Sequence, residues 1–217
     1  MSKKATSTKR ERDPAATRQR LIDATVRLML QQGFSATSVD QICKEAGMTK
    51  GGFFHHFENK EALGIAAIEW WGRMGTALYA ESWQDALLDP LEQLHRMFDI
   101  MIGFTRRNDD AVVCMVGMMS QEMSATKPAF QAACEKELKL WTENIAKLLT
   151  AAKKLHKPKT KFDPIQVAWF LNSLWQGSML IGKTCRSQEL IRHNLKLARD
   201  YVDGLFQANG TPRGDSA

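Results

Sequence analysis

The 217-residue sequence predicts an all-α protein of about nine helices, the first three forming an N-terminal domain with a larger helical bundle behind them. Three observations predict it. Apolar residues recur at intervals of three and four, the spacing that lines one face of a helix. Helix punctuation is frequent, with Asp-Pro, Lys-Pro, Ser and Asn at starts and Gly at stops. No run alternates with the two-residue period of a strand, and no internal repeat is visible.

The first helix runs from about Pro14, acceptable in a first turn, to Gln32, with Gly33 as its stop. Leu21, Ala24 and Leu28 form one apolar strip, and Ile22, Val26 and Met29 lie beside it. A second helix opens on a capping box: Ser38 accepts from the amide of Gln41, and Gln41 reaches back to Ser38. Val39, Ile42 and Cys43 give it an apolar stripe, and Gly47 ends it in the left-handed conformation. Thr49 caps a third helix carrying Lys50, Gly51, Gly52, Phe53, Phe54 and His55. Asn59 caps a fourth, running through Trp70 and Trp71 towards Trp83. Asp89-Pro90 starts a fifth, with Leu91, Leu94, Phe98, Met101 and Ile102 on one face. A short apolar helix spans Ala111 to Met123, and Lys127-Pro128 opens a long one reaching about Lys154. The basic linker from Lys153 to Lys161 leads to an apolar helix started by Asp163-Pro164, and Ser187 caps a last one ending near Phe206.

Helices two and three, joined at Gly47, have helix-turn-helix grammar, in which the second of the pair enters a DNA major groove. Charge agrees: residues 1–60 hold eleven Lys/Arg against six Asp/Glu, a net +5 of the chain's +6. The positive excess therefore sits on the segment that reads as a binder of double-stranded DNA. Four organisational parts result: a basic arm (1–13), the helix-turn-helix domain (14–60), a helical bundle (61–207) and a polar tail (208–217). Lys3, Lys4, Lys9, Arg10 and Arg12 give the arm two readings, a groove-touching extension or a solvated tail.

Two local violations mark the reading surface. Gly51 and Gly52 adjoin inside a short helix, each costing about 1 kcal/mol relative to Ala. Close approach of DNA to the backbone accounts for that, and a loop is the alternative. Lys60 stands at the positive end of the fourth helix, where a phosphate would repair the conflict and a solvated lysine is the plainer reading.

The same stretch resembles the DNA-binding domain of the TetR family of bacterial transcriptional repressors. The resemblance rests on Gly33-Phe34, Ala36-Thr37-Ser38-Val39, Ile42, Ala46-Gly47, Thr49-Lys50-Gly51, Phe53-Phe54-His55-His56-Phe57 and Asn59-Lys60-Glu61-Ala62-Leu63. It implies DNA contact by Thr37, Ser38, Thr49, Lys50, Gly51, Gly52, Phe54, His55 and Lys60. Thr49 to Gly52 would approach base edges, and Thr37, Ser38, His55 and Lys60 the phosphates. Phe54 departs from the family, which usually has a tyrosine whose hydroxyl reaches a phosphate.

The resemblance also implies a homodimer and an effector pocket in the second half. Asp163 to Gly182 is apolar around much of its circumference, as a helix with partners on two sides would be. Leu190, Leu197, Tyr201 and Leu205 would complete the dimer face, with Gly177 and Ser178 allowing close approach. Met97, Met101, Phe104, Cys114, Met118, Trp141, Phe170 and Trp175 are the expected pocket lining, suited to a small apolar molecule. Cys114, at a helix start behind Arg106 and Arg107, adds the chance of reaction with an electrophile.

The implied function is a ligand-responsive repressor that binds a palindromic operator as a dimer and is released by its effector. A constitutive DNA-binding protein whose second half only dimerises is the alternative, and an all-helical enzyme a further one. Against the enzyme, the chain has no GxSxG, HExxH, P-loop or dinucleotide turn. No cofactor is implied. Cys43, Cys114, Cys134 and Cys185 lack metal-ligand spacing, and the adjacent His55 and His56 diverge on a helix, so no metal site is expected. No membrane span or signal peptide is read, and a cytoplasmic location is expected.

Overall fold

The computed structural model describes residues 13–84, 87–106 and 113–207, with the side chains of 81–84 excepted. Residues 1–12 of the basic arm, the polar tail from 208, and residues 107–112 of the charged turn and the expected sixth-helix start lie outside the described residues. Among the described residues there are nine helices and no strand. They are α1 (Pro14–Gln32), α2 (Val39–Ala46), α3 (Lys50–His56), α4 (Lys60–Gln84), α5 (Pro90–Phe104), α6 (Met115–Met123), α7 (Pro128–His156), α8 (Pro164–Thr184) and α9 (Gln188–Phe206).

The caps follow the sequence grammar. Asp13, Asp89 and Asp163 each accept from a backbone amide two residues on, ahead of a proline in the first turn. Asn59 accepts from the amide of Ala62, and Ser187 from that of Leu190. Cys114 is the residue before α6, and its side chain makes no cap hydrogen bond.

The chain divides into two compact units, Met1–Trp70 and Trp71–Ala217, with the border inside α4. In the first, α1 packs on α2 and α2 on α3. Leu21, Ile22, Met29, Ile42, Phe53 and Leu63 are fully buried there. The burial of Leu63 shows why the first turns of α4 belong with the N-terminal unit.

In the second unit α7 packs on α8, α5 and α6, and α8 packs on α9. Their core holds Leu94, Met97, Phe98, Met101, Ile145, Leu149, Leu171, Trp175 and Leu195 among others. Buried Asn172 is paired within it: Nδ2 donates to Thr142 Oγ1 at 2.8 Å and to Leu138 O at 3.2 Å, tying α8 to α7. Gly182 lets α9 approach α8 closely, since a Cβ there would lie 2.3 Å from Ile191 Cγ1. No described helix is long and apolar enough to cross a membrane.

Candidate nucleic-acid interface

The candidate interface is built from the end of α1, the N-terminal turn of α2 and the N-terminal turn of α3. Gly33 leaves α1 at φ 83°, and the chain folds back on itself through Phe34 to Thr37. Ser38 then caps α2 by the expected reciprocal pair, Gln41 N to Ser38 Oγ at 3.2 Å and Ser38 N to Gln41 Oε1 at 2.8 Å. The hydroxyl of exposed Ser38 accepts in that pair, which leaves its proton for a phosphate oxygen. Gly47, left-handed at φ 63° and ψ 41°, closes α2, and Thr49 starts α3 by accepting from Gly52 N at 3.2 Å.

Thr49, Lys50, Gly51, Phe54 and His55 form an exposed group on α3, with Phe54 56% exposed. Phe53 beneath them is fully buried and meets the Phe54 ring edge-on at 5.0 Å, fixing α3 on its unit. The segment with two glycines is therefore a helix and not a loop. The two glycines have different surroundings. A Cβ at Gly51 would meet nothing closer than Thr49 Oγ1 at 4.0 Å, so nothing inside the protein demands a glycine there. A Cβ at Gly52 would lie 2.8 Å from Met48 Cε, so this glycine also makes room for the Met48 side chain.

Lys50 Nζ lies 2.9 Å from Asp40 Oδ1, and that hydrogen bond raises the lysine's affinity for its proton. His56 is turned partly inward. Burial, then its neighbours His55 and Arg18, hold it below the usual imidazole value. The Arg18 guanidinium sits 4.8 Å from the Phe57 ring centroid.

Two of the residues expected at phosphates, Thr37 and Lys60, have partners within the protein. Thr37 is only 1% exposed. Its hydroxyl donates to Gly33 O at 2.6 Å and accepts from Gln32 Nε2 at 3.2 Å, so it shapes the turn from within. Lys60 does not hold its ammonium out towards a ligand. Nζ donates to Phe34 O at 3.0 Å and Thr37 O at 2.9 Å, and lies 4.2 Å from the Phe34 ring centroid. The dipole conflict at the start of α4 is thus relieved by two protein carbonyls.

Sequence reasoning missed Gln32 and Asp40. Gln32 Nε2 reaches Ala36 O at 3.0 Å, Thr37 Oγ1 at 3.2 Å and Gln41 Oε1 at 3.2 Å, joining α1, the turn and the capping box. Nothing at Gln32 marks it in the sequence, because its partners assemble only when the turn folds. Asp40 precedes Lys50 by ten residues and meets it across the α2–α3 corner.

In the second unit the expected pocket residues divide. Met97, Met101 and Trp175 belong to the core, with Phe104, Cys114 and Trp141 packed against it. Met118 is half-buried, with Lys183 Nζ at 4.0 Å from its sulfur. Phe170 stands apart from that core: it is 46% exposed and meets Tyr201 of α9 edge-on at 5.2 Å. A shallow cleft of about 230 Å³ opens elsewhere, between α6, α7 and α8, beside Ser120, Gln131, Cys134, Leu138 and Trp169. None of the eight expected residues borders it. All four cysteines are free, and burial raises the Cys134 thiol despite its hydrogen bond with Ser120. On the dimer face expected from the sequence, Phe170, Leu197 and Tyr201 are exposed, but Leu205 is 7% exposed and belongs to the core. Ser178 is buried and accepts from Asn194 Nδ2 at 3.1 Å.

Comparison with known proteins follows the same two-part division. The family described as bacterial regulatory proteins, tetR family, matches residues 21–67, and the tetracyclin repressor-like C-terminal domain matches residues 90–198. The transcriptional regulator AcuR of Cereibacter sphaeroides is 32% identical over 178 residues, covering 79% of this chain and 78% of that protein. The HTH-type transcriptional repressor DhaR of Mycobacterium sp. (strain GP1) is 26% identical over 172 residues, covering 79% and 85%. The crystal structure of regulatory protein TetR from Rhodobacter sphaeroides superposes with a TM-score of 0.77 at 28% identity, covering 85% of this chain and 98% of that one.

Proposed function

The chain belongs to the TetR family of bacterial regulatory proteins, and from that premise we propose that it is a ligand-responsive transcriptional repressor. It binds a palindromic operator as a homodimer and leaves it when a small apolar or electrophilic molecule occupies the second unit. The observation that carries the DNA-reading part is the first turn of α3. There Thr49, Lys50 and Gly51 are exposed side by side on a helix whose other face is locked by fully buried Phe53. Such a turn presents donors and bare backbone to base edges.

Dimerisation is supported by α8 and α9, which expose Phe170, Leu180, Ile181, Leu197 and Tyr201 at 44–53% each. Five large apolar side chains on two neighbouring helices suit a second copy of the same pair about a two-fold axis. Effector response is supported by Met97, Met101, Phe104 and Trp141 meeting in one core, since methionines repack around a guest. The lever is α4, which contains the border between the two units. Control requires an effector with unequal affinity for the DNA-competent and DNA-incompetent states.

Selection from a randomised duplex pool tests the reading. A sequence with two-fold symmetry should be enriched, and its complex should dissociate on adding an effector that also raises the melting temperature. Enrichment of no sequence would refute operator recognition. Enrichment with no small molecule able to stabilise the protein would leave the constitutive DNA-binding protein as the better account.

A further inference from the structure

We propose that Asp40 is a specificity-determining residue whose carboxylate withholds the Lys50 ammonium from the phosphates of unrelated DNA and keeps it for base edges. The inference rests on the DNA-reading function proposed above and adds to it how operator and random sequence are told apart.

The geometry begins with two helix starts. Asp40 is in the first turn of α2, where the positive end of the helix favours a carboxylate. Lys50 is the first residue of α3, beside Thr49 and Gly51. The corner between the helices brings Nζ and Oδ1 to 2.9 Å, with the side chains 60% and 69% exposed. An ion pair so exposed adds little to stability. Its position therefore matters more than its strength.

In a unit whose sequence carries an excess of positive charge, each cation that reaches a phosphate strengthens binding to any DNA. A carboxylate beside the reading helix opposes that general attraction. To bind a phosphate, Lys50 must leave Asp40 and turn outward. To meet a base edge it need not leave. An ammonium has three N–H donors, and one held by Asp40 leaves two for acceptors such as guanine O6 and N7. The carboxylate thus weakens the unwanted complex more than the wanted one, which is how a built-in penalty produces specificity.

The test uses the full-length chain and four proteins: wild type, Asp40→Asn, Lys50→Met and the double variant. Each is titrated with an operator selected by the wild type and with a random duplex of equal length, over a range of salt near 0.15 M. Asp40→Asn should tighten random binding about fivefold, the yield of one further phosphate contact at that salt, and steepen the salt slope by about 0.9. Operator affinity should stay within about twofold, so the specificity ratio falls by about threefold or more. In the Lys50→Met background the same change should leave random binding within about twofold.

Equal tightening on both duplexes would overturn the proposal, because Asp40 would then act only as a repelling charge. Persistence of the effect without Lys50 would overturn it for the same reason. An unchanged ratio would make the pair a solvated surface contact. Should the wild type itself show no operator preference, the proposed function falls and this inference with it. A preserved wild-type preference with an unchanged Asp40→Asn ratio refutes only the role of Asp40.

Discussion

Replacing Lys60 by Ala tests whether this residue holds the interface together or contacts DNA itself. The ammonium donates to Phe34 O at 3.0 Å and Thr37 O at 2.9 Å and lies 4.2 Å from the Phe34 ring centroid. Hydrogen bonds from a charged donor contribute about 1.5–3 kcal/mol each. A cation over the ring of buried Phe34 adds about 0.5–2 kcal/mol. Against these stand about 2 kcal/mol of ordered side-chain entropy and the water that both carbonyls regain in the variant. A net loss of about 2 kcal/mol is expected, which lowers the melting temperature of a chain this long by about 4–8 °C. Thermal unfolding by circular dichroism measures the loss, and faster hydrogen exchange at the Thr37 amide, bonded to Phe34 O at 3.1 Å, localises it. DNA affinity should fall with little change in salt slope, because the turn supporting Ser38 has loosened. If stability changed by less than about 0.5 kcal/mol while the salt slope flattened by about 0.9, Lys60 would be a phosphate ligand and the reasoning here would be refuted.

Gly51→Ala should leave stability equal or raised by up to about 1 kcal/mol while weakening operator binding, since only DNA meets the added methyl. Gly52→Ala must also displace Met48 Cε, so it should gain less in a melting experiment; indistinguishable stabilities would contradict the contrast between the two sites. Cys114→Ser separates two kinds of effector: a thiol sensor predicts loss of electrophile-driven release with DNA binding intact, and release that persists leaves only reversible filling. The Asp89 carboxylate is desolvated, yet hydrogen bonds from His156 and from the Leu91 amide hold it below the ordinary carboxylate range. A depressed folded-state value means stability fully present above the unfolded value of about 3.9 and lost as pH falls through the folded one. Asp89→Asn should therefore flatten the loss of stability below about pH 4, and an unchanged acid limb would show the contact to be inconsequential.

Much of the local structure is legible because it is encoded by neighbours. Ser38 and Gln41 are three residues apart and make the capping box the spacing predicts. Asn59 caps α4, and Gly47 takes the left-handed conformation at the end of α2. These arrangements need only the helix period and the donor inventory of each side chain.

Contacts set by tertiary folding are less legible. Lys60 at a helix start reads as an unsatisfied cation, and its acceptors, Phe34 O and Thr37 O, lie 26 and 23 residues earlier in the chain. Thr37 next to Ser38 looks equally available to solvent, but the fold turns one hydroxyl inward and leaves the other out. The spacing of Met97, Met101 and Trp175 identifies an inward face, and the structure gathers them in one core. Periodicity does not distinguish a lining from a filled core, which depends on how neighbouring helices close the space. The same limit applies to Phe170, which lies beside Tyr201 at the surface and not in that core.

The most direct test of the account is half-site scrambling. The wild-type chain is mixed with its selected operator, and with the same duplex carrying one scrambled half, while sedimentation gives stoichiometry and titration gives affinity. Two reading helices acting together predict two chains on the intact operator and an affinity loss of at least about tenfold when one half is scrambled. One chain per duplex, or equal affinity for both duplexes, would contradict it.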